Sequence, residues 1–229
     1  TESEVHYPLA ALQHTFPHLA LTAQDVVSTY AGVRPVVSSG AADPSKETRD
    51  HIVLNEQGLI TVTGGKLTTF RAIALDTLKH AVKHNPGLHL NWDEQAILAP
   101  QSGGRALARL DATEQTRLLG RYGDRAEAFV QQARATECMA IPGTRIWWAE
   151  LRWIAQHESV HHLDDLLLRR TRLGLVLPQG AQALLPRIQP LIQSELAWDD
   201  ARWQAECQRY QDIIARCYSA PAALKDAQP

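Results

Sequence analysis

No apolar run in the chain approaches the roughly 20 residues that a membrane-spanning helix requires. The first residues, Thr1-Glu2-Ser3-Glu4, do not follow the basic-then-apolar pattern of a secretory signal, so a soluble chain is expected. Cysteine is scarce: Cys138, Cys207 and Cys217 are odd in number and lack C-x-x-C spacing. Neither a disulfide framework nor a cysteine zinc site fits that pattern, and a reducing, cytoplasmic compartment is the default. Charge of one sign is not in excess, with 23 Lys and Arg against 25 Asp and Glu, so composition argues against a nucleic-acid partner and an acidic tail. Methionine occurs once, at Met139 and not at the start, which points to an excised start or a piece of a longer polypeptide. No G-x-G-x-x-G follows a strand, so the chain carries no dinucleotide-binding β-α-β turn of its own.

What is present is 45% hydrophobic composition over 229 residues, enough to bury a core. Val5, Leu9 and Leu12 recur at helical spacing until Phe16-Pro17, where proline disfavours a helical residue before it. Val26-Val27-Ser28-Thr29-Tyr30 reads as a strand from its β-branched and aromatic content, and Arg34-Pro35-Val36-Val37 as extended chain. Residues 38–48 hold no apolar side chain larger than alanine and predict an exposed loop. His51-Ile52-Val53-Leu54 and Leu59-Ile60-Thr61-Val62-Thr63 flank Asn55-Glu56-Gln57-Gly58, a hairpin signal. From Thr69 the period becomes helical through Ile73, Leu75, Leu78, Ala81 and Val82, and Asn85-Pro86-Gly87 stops it.

A second break in composition, from Leu88 to Gly104, places a domain boundary there, giving segments 1–87 and 88–229. Beyond it the sequence is helical throughout. Asp111 with Glu114 and Asp124 with Glu127 have capping-box spacing. Trp147, Leu151 and Ile154 share a helical face, and Asp164-Asp165 precedes an apolar run as an acidic helix start. Pro186 and Pro190 argue against a straight helix over 178–196, while Trp203, Cys207, Tyr210, Ile214 and Cys217 step along one face of a last helix. The fold class expected is α+β and helix-rich, with short strands followed by an all-α domain.

Two motifs invite chemistry and fail on their neighbours. Gly64-Gly65-Lys66 has Ile60 where a P-loop needs its first glycine and Leu67 where it needs the magnesium-binding hydroxyl. His157-Glu158-Ser159-Val160-His161 matches H-E-x-x-H, but its second histidine falls at a predicted helix end and no third ligand follows at a familiar spacing. No metal site is expected. The stronger signal is a combination. Arg34, held by Pro35, and Arg49 are two guanidinium groups able to meet a phosphate or carboxylate with bidentate geometry. Lys66 adds a point charge on a glycine turn, and Thr68 or Thr69 is placed to N-cap the helix that starts near Phe70, whose positive dipole end would face an electron-rich acceptor. A plain hairpin, a surface arginine pair and an ordinary capped helix remain the alternative.

Tyr30-Ala31-Gly32-Val33-Arg34-Pro35, Thr48-Arg49-Asp50 and Thr63-Gly64-Gly65-Lys66-Leu67-Thr68-Thr69-Phe70-Arg71 together closely resemble the FAD-dependent glycerol-3-phosphate dehydrogenases. More loosely, Arg121-Tyr122-Gly123, Trp148-Ala149-Glu150-Leu151 and the stretch from Asp164 to Arg172 resemble that family's helical C-terminal domain. The resemblance implies that 1–87 is the end of the cap and FAD-binding domains, and that the glycine fingerprint precedes this chain. It implies a parent flavoprotein that oxidises glycerol 3-phosphate to dihydroxyacetone phosphate and passes electrons to a quinone or another acceptor. Arg34 and Arg49 would hold the substrate phosphate or polarise the reacting oxygen. Gly64, Gly65, Lys66, Leu67, Thr68 and Thr69 would lie along the flavin pyrimidine edge. The 229 residues alone would be inactive and would not retain FAD. Peripheral attachment to the cytoplasmic membrane and homo-oligomerisation stay open, as does the alternative that the helical domain is an interaction or oligomerisation module without catalysis of its own.

Overall fold

The computed structural model describes residues 2–33, 50–91 and 104–220. They fall into two compact units, one formed by Thr1–Ala31 with Ala99–Pro229 and the other by Gly32–Leu98. The fold is mostly helical, with a single two-stranded antiparallel sheet among the described residues.

In the smaller unit β1 (His51–Glu56) pairs with β2 (Leu59–Gly64) in a register that sets His51 opposite Gly64 and Glu56 opposite Leu59. Gln57 and Gly58 both have positive φ, 52° and 89°, the type I′ geometry whose twist matches that of the strands. Asn55 Oδ1 accepts from the Gly58 N–H at 3.2 Å and closes the turn. Helix α2 (Phe70–His84) follows and packs back through Ile73, while His51 Nε2 lies 3.0 Å from Asp76 Oδ2. None of the described residues in this unit is fully buried, and Leu59, Leu67 and Phe70 stand mostly in solvent.

The larger unit contains α1 (Glu2–Thr15), α3 (Ala112–Tyr122), α4 (Ala126–Gln132), α5 (Trp148–His157), α6 (Leu173–Val176), α7 (Leu185–Ile192) and α8 (Asp200–Ile213). Its centre is α5, in which every residue from Trp148 to Ala155 is buried. A helix covered on all sides must be lined by two cores. Trp148, Leu151, Ile154 and Ala155 join a cluster with Leu163, Leu167, Leu173, Ile188, Trp203 and Tyr210. Ala149 and Trp153, with Trp147 just before the helix, join Leu107, Leu118, Ala126 and Phe129. In the second cluster the aromatic rings are offset or edge-on, Tyr122 to Phe129 at 4.9 Å and Phe129 to Trp153 at 5.6 Å between centroids, the arrangement the ring quadrupoles favour.

Several elements differ from the sequence expectation. Residues 26–30 form no ladder; they run extended against the helical core, held by hydrogen bonds to loop and helix-end carbonyls. Asp111 caps α3 as its spacing predicts, its Oδ1 accepting from Glu114 N at 2.9 Å. Glu127 does not close a box with Asp124; its carboxylate accepts from Ala106 N and Leu107 N and caps a neighbouring 3₁₀ turn instead. The acidic start at Asp164-Asp165 opens a π-helical segment, Asp165–Arg170, with Thr171 N bonded to Leu166 O five residues back. A second π-helical segment, Ile214–Tyr218, continues α8, and its wider turn leaves Cys217 exposed although Trp203, Tyr210 and Ile214 are buried as expected. Between Pro178 and α7 the chain makes a left-handed turn through Gln179, Gly180 and Ala181, so the stretch is no straight helix. Residues 34–37 and 38–48, and most of the 88–104 connector, lie outside the described residues.

Tyr210 holds the left-handed turn: its hydroxyl donates to Gly180 O at 2.7 Å in the fully buried interior. Tyr210→Phe is expected to leave that carbonyl buried and unpaired and to destabilise the helical unit by about 1–3 kcal/mol, read as a lower urea midpoint with unchanged slope.

Candidate functional site

The turn that joins β2 to α2 is built on two left-handed residues, Gly64 at φ 78° and Gly65 at φ 80°. Only glycine takes this conformation without cost, and at Gly65 space forbids a side chain as well. A Cβ there would lie 2.5 Å from Ile73 Cδ1 and 3.3 Å from His51 Cβ, so Gly65 is what lets the hairpin seat against α2. Lys66 then extends outward and a 3₁₀ turn, Leu67–Thr69, leads into α2. Thr69 does not cap α2: its Oγ1 donates to Lys66 O at 2.9 Å and accepts from Lys66 N at 3.4 Å, stabilising the turn before the helix. The N–H of Thr69 is taken by Lys66 O, whereas those of Leu67 and Thr68 have no protein acceptor among the described residues. Lys66, Leu67, Thr68 and Thr69 are all exposed. The turn therefore presents two free N–H donors and an ammonium at the positive end of a 15-residue helix, a surface suited to a partly anionic edge. Arg34 and Arg49 lie outside the described residues, so the structure brings together the glycine, lysine and threonine members of the set.

The H-E-x-x-H stretch does not lie on one helical turn. Helix α5 ends at His157, and Glu158 is extended and paired with Arg170 at 3.3 Å. His157 stacks on Trp153 with centroids 3.7 Å apart and its Nδ1 faces Trp153 O, while His161 Nε2 meets Ser159 Oγ at 3.1 Å.

Sequence reasoning did not single out the buried acids of the helical unit. Glu150, 1% exposed, accepts from Trp147 N at 2.8 Å, Arg117 Nη1 at 2.7 Å and Tyr122 Oη at 2.9 Å. Burial and the adjacent Glu150 charge push the Tyr122 phenol far above its ordinary range. Arg152 forks onto Glu137 and reaches Glu195 at 2.6 Å. Asp164 takes Arg169 and Arg209, and Glu206 takes His162, Arg202 and the Leu163 N–H. Each acid meets donors from another segment of the chain, so these centres tie the helices together. For Glu150 the sequence signal is a lone carboxylate inside an apolar run, Trp148-Ala149-Glu150-Leu151.

The described residues thus present a glycine-lysine turn at the start of α2 and, in the larger unit, helices tied together by buried ion pairs. The family described as the C-terminal domain of alpha-glycerophosphate oxidase matches residues 68–203, more than half of the chain. The chain belongs to this family. Among its relatives are a mitochondrial glycerol-3-phosphate dehydrogenase of Bos taurus, 34% identical over 80% of this chain and 27% of the relative, and the aerobic glycerol-3-phosphate dehydrogenase of Escherichia coli (strain K12), 31% identical over 80% of this chain and 40% of the relative. A mitochondrial glycerol-3-phosphate dehydrogenase of Arabidopsis thaliana is 27% identical over 93% of this chain and 38% of its own length. The chain thus spans well under half the length of these relatives. No solved structure matches it significantly. No helix among the described residues is long and apolar enough to cross a membrane.

Gly65→Ala is expected to combine left-handed strain with a steric clash and to weaken the hairpin–helix unit by about 1–3 kcal/mol, seen as faster amide exchange in α2 with the helical unit unaffected. For Asp164, burial alone would raise the carboxyl, but Arg169 and Arg209 outweigh it and hold the group below the ordinary carboxylate range. A lowered folded-state value contributes stability above the unfolded value of about 4, and this is lost as pH falls through the folded value. Urea titrations of the helical unit should therefore show a decline below about pH 4 that is shallower in Asp164→Asn.

Proposed function

We propose that this chain supplies the C-terminal portion of a flavoprotein that oxidises glycerol 3-phosphate to dihydroxyacetone phosphate. The observation that carries the reading is the pair of unpaired N–H groups, on Leu67 and Thr68, at an exposed Gly64-Gly65-Lys66 turn in a chain of this family. When bound, FAD supplies the acceptor for the hydride that leaves C2 of the substrate. The chain's own part is electrostatic. Leu67 N–H, Thr68 N–H and the α2 dipole stabilise negative charge that grows along the flavin pyrimidine edge, and Lys66 adds a mobile positive charge. Arg34 and Arg49 hold the substrate phosphate or polarise its reacting oxygen, for which planar, permanently charged guanidinium groups are suited. The segment 1–87 completes the cap and flavin-binding domains and 88–229 is the helical domain. Electrons leave to a quinone or another acceptor, and the relatives named as mitochondrial and aerobic enzymes support that direction.

On this reading the 229 residues hold half a site. The chain alone, titrated with FAD, is expected to show neither stoichiometric flavin binding nor turnover; either result would overturn the half-site assignment. In the polypeptide extended by its N-terminal half, glycerol 3-phosphate should reduce FAD. There Arg34→Ala should raise KM by roughly 10–100-fold, the loss of a charge-assisted hydrogen bond, and an unchanged KM would remove Arg34 from the substrate site.

A further inference from the structure

Gly64 and Gly65, both at positive φ, join the hairpin to the 3₁₀ turn and α2. Glycine takes either sign of φ about as readily, so this joint by itself does little to fix the angle between hairpin and helix. Thr69 ties only the segment beyond the joint, through Lys66 N and Lys66 O. Apolar burial does not take over, because none of the described residues in this unit is fully buried. Yet the angle aims the Leu67 and Thr68 N–H groups.

His51 and Asp76 span the joint. His51 stands opposite Gly64 in the β1–β2 register, and its Cβ would lie 3.3 Å from a Cβ on Gly65. The same Cβ would lie 2.5 Å from Ile73 Cδ1, so Gly65 sits in a notch made by one residue of β1 and one of α2. Three residues beyond Ile73, on the same helix face, Asp76 Oδ2 meets His51 Nε2 at 3.0 Å. A carboxylate can only accept, so Nε2 carries the bonding proton. The other oxygen of Asp76 faces His80 Nδ1 at 3.9 Å, but that nitrogen is engaged by Asp76 O at 2.9 Å within the helix. Among the described residues, His51 is thus the contact that the Asp76 carboxylate makes off its own helix. Asp76 lies about 9 Å along the α2 axis from Phe70, so the bond holds the helix as a lever whose pivot is the glycine pair.

We infer that His51 and Asp76 are positioning residues for the flavin-facing turn. Their bond across the Gly64–Gly65 joint sets the angle at which Leu67 N–H, Thr68 N–H and the start of α2 meet the pyrimidine edge. With the bond lost, the glycine pair lets α2 swing and the donors leave the line of the developing charge, so the reduced, anionic flavin loses stabilisation. This role rests on the assignment of the turn to the flavin, whereas the brace itself does not.

The test compares wild type with His51→Leu, His51→Gln, Asp76→Ala and the double variant His51→Leu/Asp76→Ala. In the 229-residue chain the Gly65 α-protons should show a nuclear Overhauser contact to the Ile73 δ-methyl. The contact should be lost in His51→Leu and Asp76→Ala and kept in His51→Gln, whose amide nitrogen can stand in for Nε2, with the β1–β2 ladder amides equally protected throughout. In the extended polypeptide loaded with FAD, His51→Leu should cost the reduced flavin about tenfold of its stabilisation over the oxidised form, a fall of about 30 mV in the two-electron potential. Its kcat should fall about tenfold with KM for glycerol 3-phosphate nearly unchanged; Asp76→Ala and the double variant should match it, and His51→Gln should behave as wild type. Absence of the Gly65–Ile73 contact in wild type, or its persistence in His51→Leu, overturns the brace. Loss of ladder protection does the same, since the pair would then support the hairpin alone. A lost contact with unchanged potential, a double variant worse than both singles, or a His51→Gln that behaves as His51→Leu overturns the positioning role. If the wild-type extended polypeptide takes up no FAD, the flavin reading falls and the positioning role with it, while the brace stands.

Discussion

A carboxylate with 1% exposure can stay charged only if donors replace the water it has lost, and Glu150 is the group around which the helical unit meets that demand. Its three donors come from the body of α3, the end of α3 and the residue before α5. Satisfying them fixes the distance and phase of α3 against α5 at once. The ring of Tyr122 is thereby laid on Phe129, and Arg117 is set over Trp147 at 5.7 Å. Two residues along, Arg152 points to the other side of α5 and repeats the device with Glu137 and Glu195. Losing one partner from such a centre strands a buried charge, at a cost of about 3–5 kcal/mol, so these pairs specify one packing more than they add stability.

The core around Tyr210 solves a different problem. Its helices are interrupted by two π-helical segments and a left-handed turn, irregularities that leave carbonyls without intrahelical donors. They persist because packing over-determines them: Gly174 and Gly180 allow approaches that any Cβ would block, and Tyr210 fills the gap. The donors for the exposed carbonyls come from almost 150 residues or more earlier in the chain, at Ser28 and Thr29. Irregular backbone in one part of the sequence is thus matched to a polar arm in another.

The smaller unit contrasts with both. With no fully buried residue among those described, it keeps its turn through glycine stereochemistry, a tight contact at Gly65 and the His51–Asp76 pair. The same exposure leaves the Leu67 and Thr68 N–H groups open to a ligand. A turn defined by backbone conformation needs little from its surroundings, which is why its two glycines could be read as a turn before any packing was known.

What the sequence by itself determined is the local structure. The hairpin follows from Asn55 and Gly58 between β-branched runs, α2 from its period and its Asn-Pro-Gly stop, the start of α3 from Asp111, and the family from the Gly64-to-Arg71 run with its companions. Each depends on φ/ψ preference or on side chains within about four positions. Only the tertiary structure decided the rest. Val26 to Tyr30 has the composition of a strand, yet its hydrogen bonds go to helix ends, because an extended segment takes whatever acceptors the fold sets beside it. Glu127 has the spacing of a capping box and caps another segment, and Thr69 turns back to Lys66, because a side chain's partner is chosen by distance in space. Glu150 meets Tyr122 and Arg117 across 28 and 33 positions and Asp164 meets Arg209 across 45, beyond any periodic rule. Propensity is a property of a residue and its near neighbours; the pairing of a buried charge belongs to the whole fold.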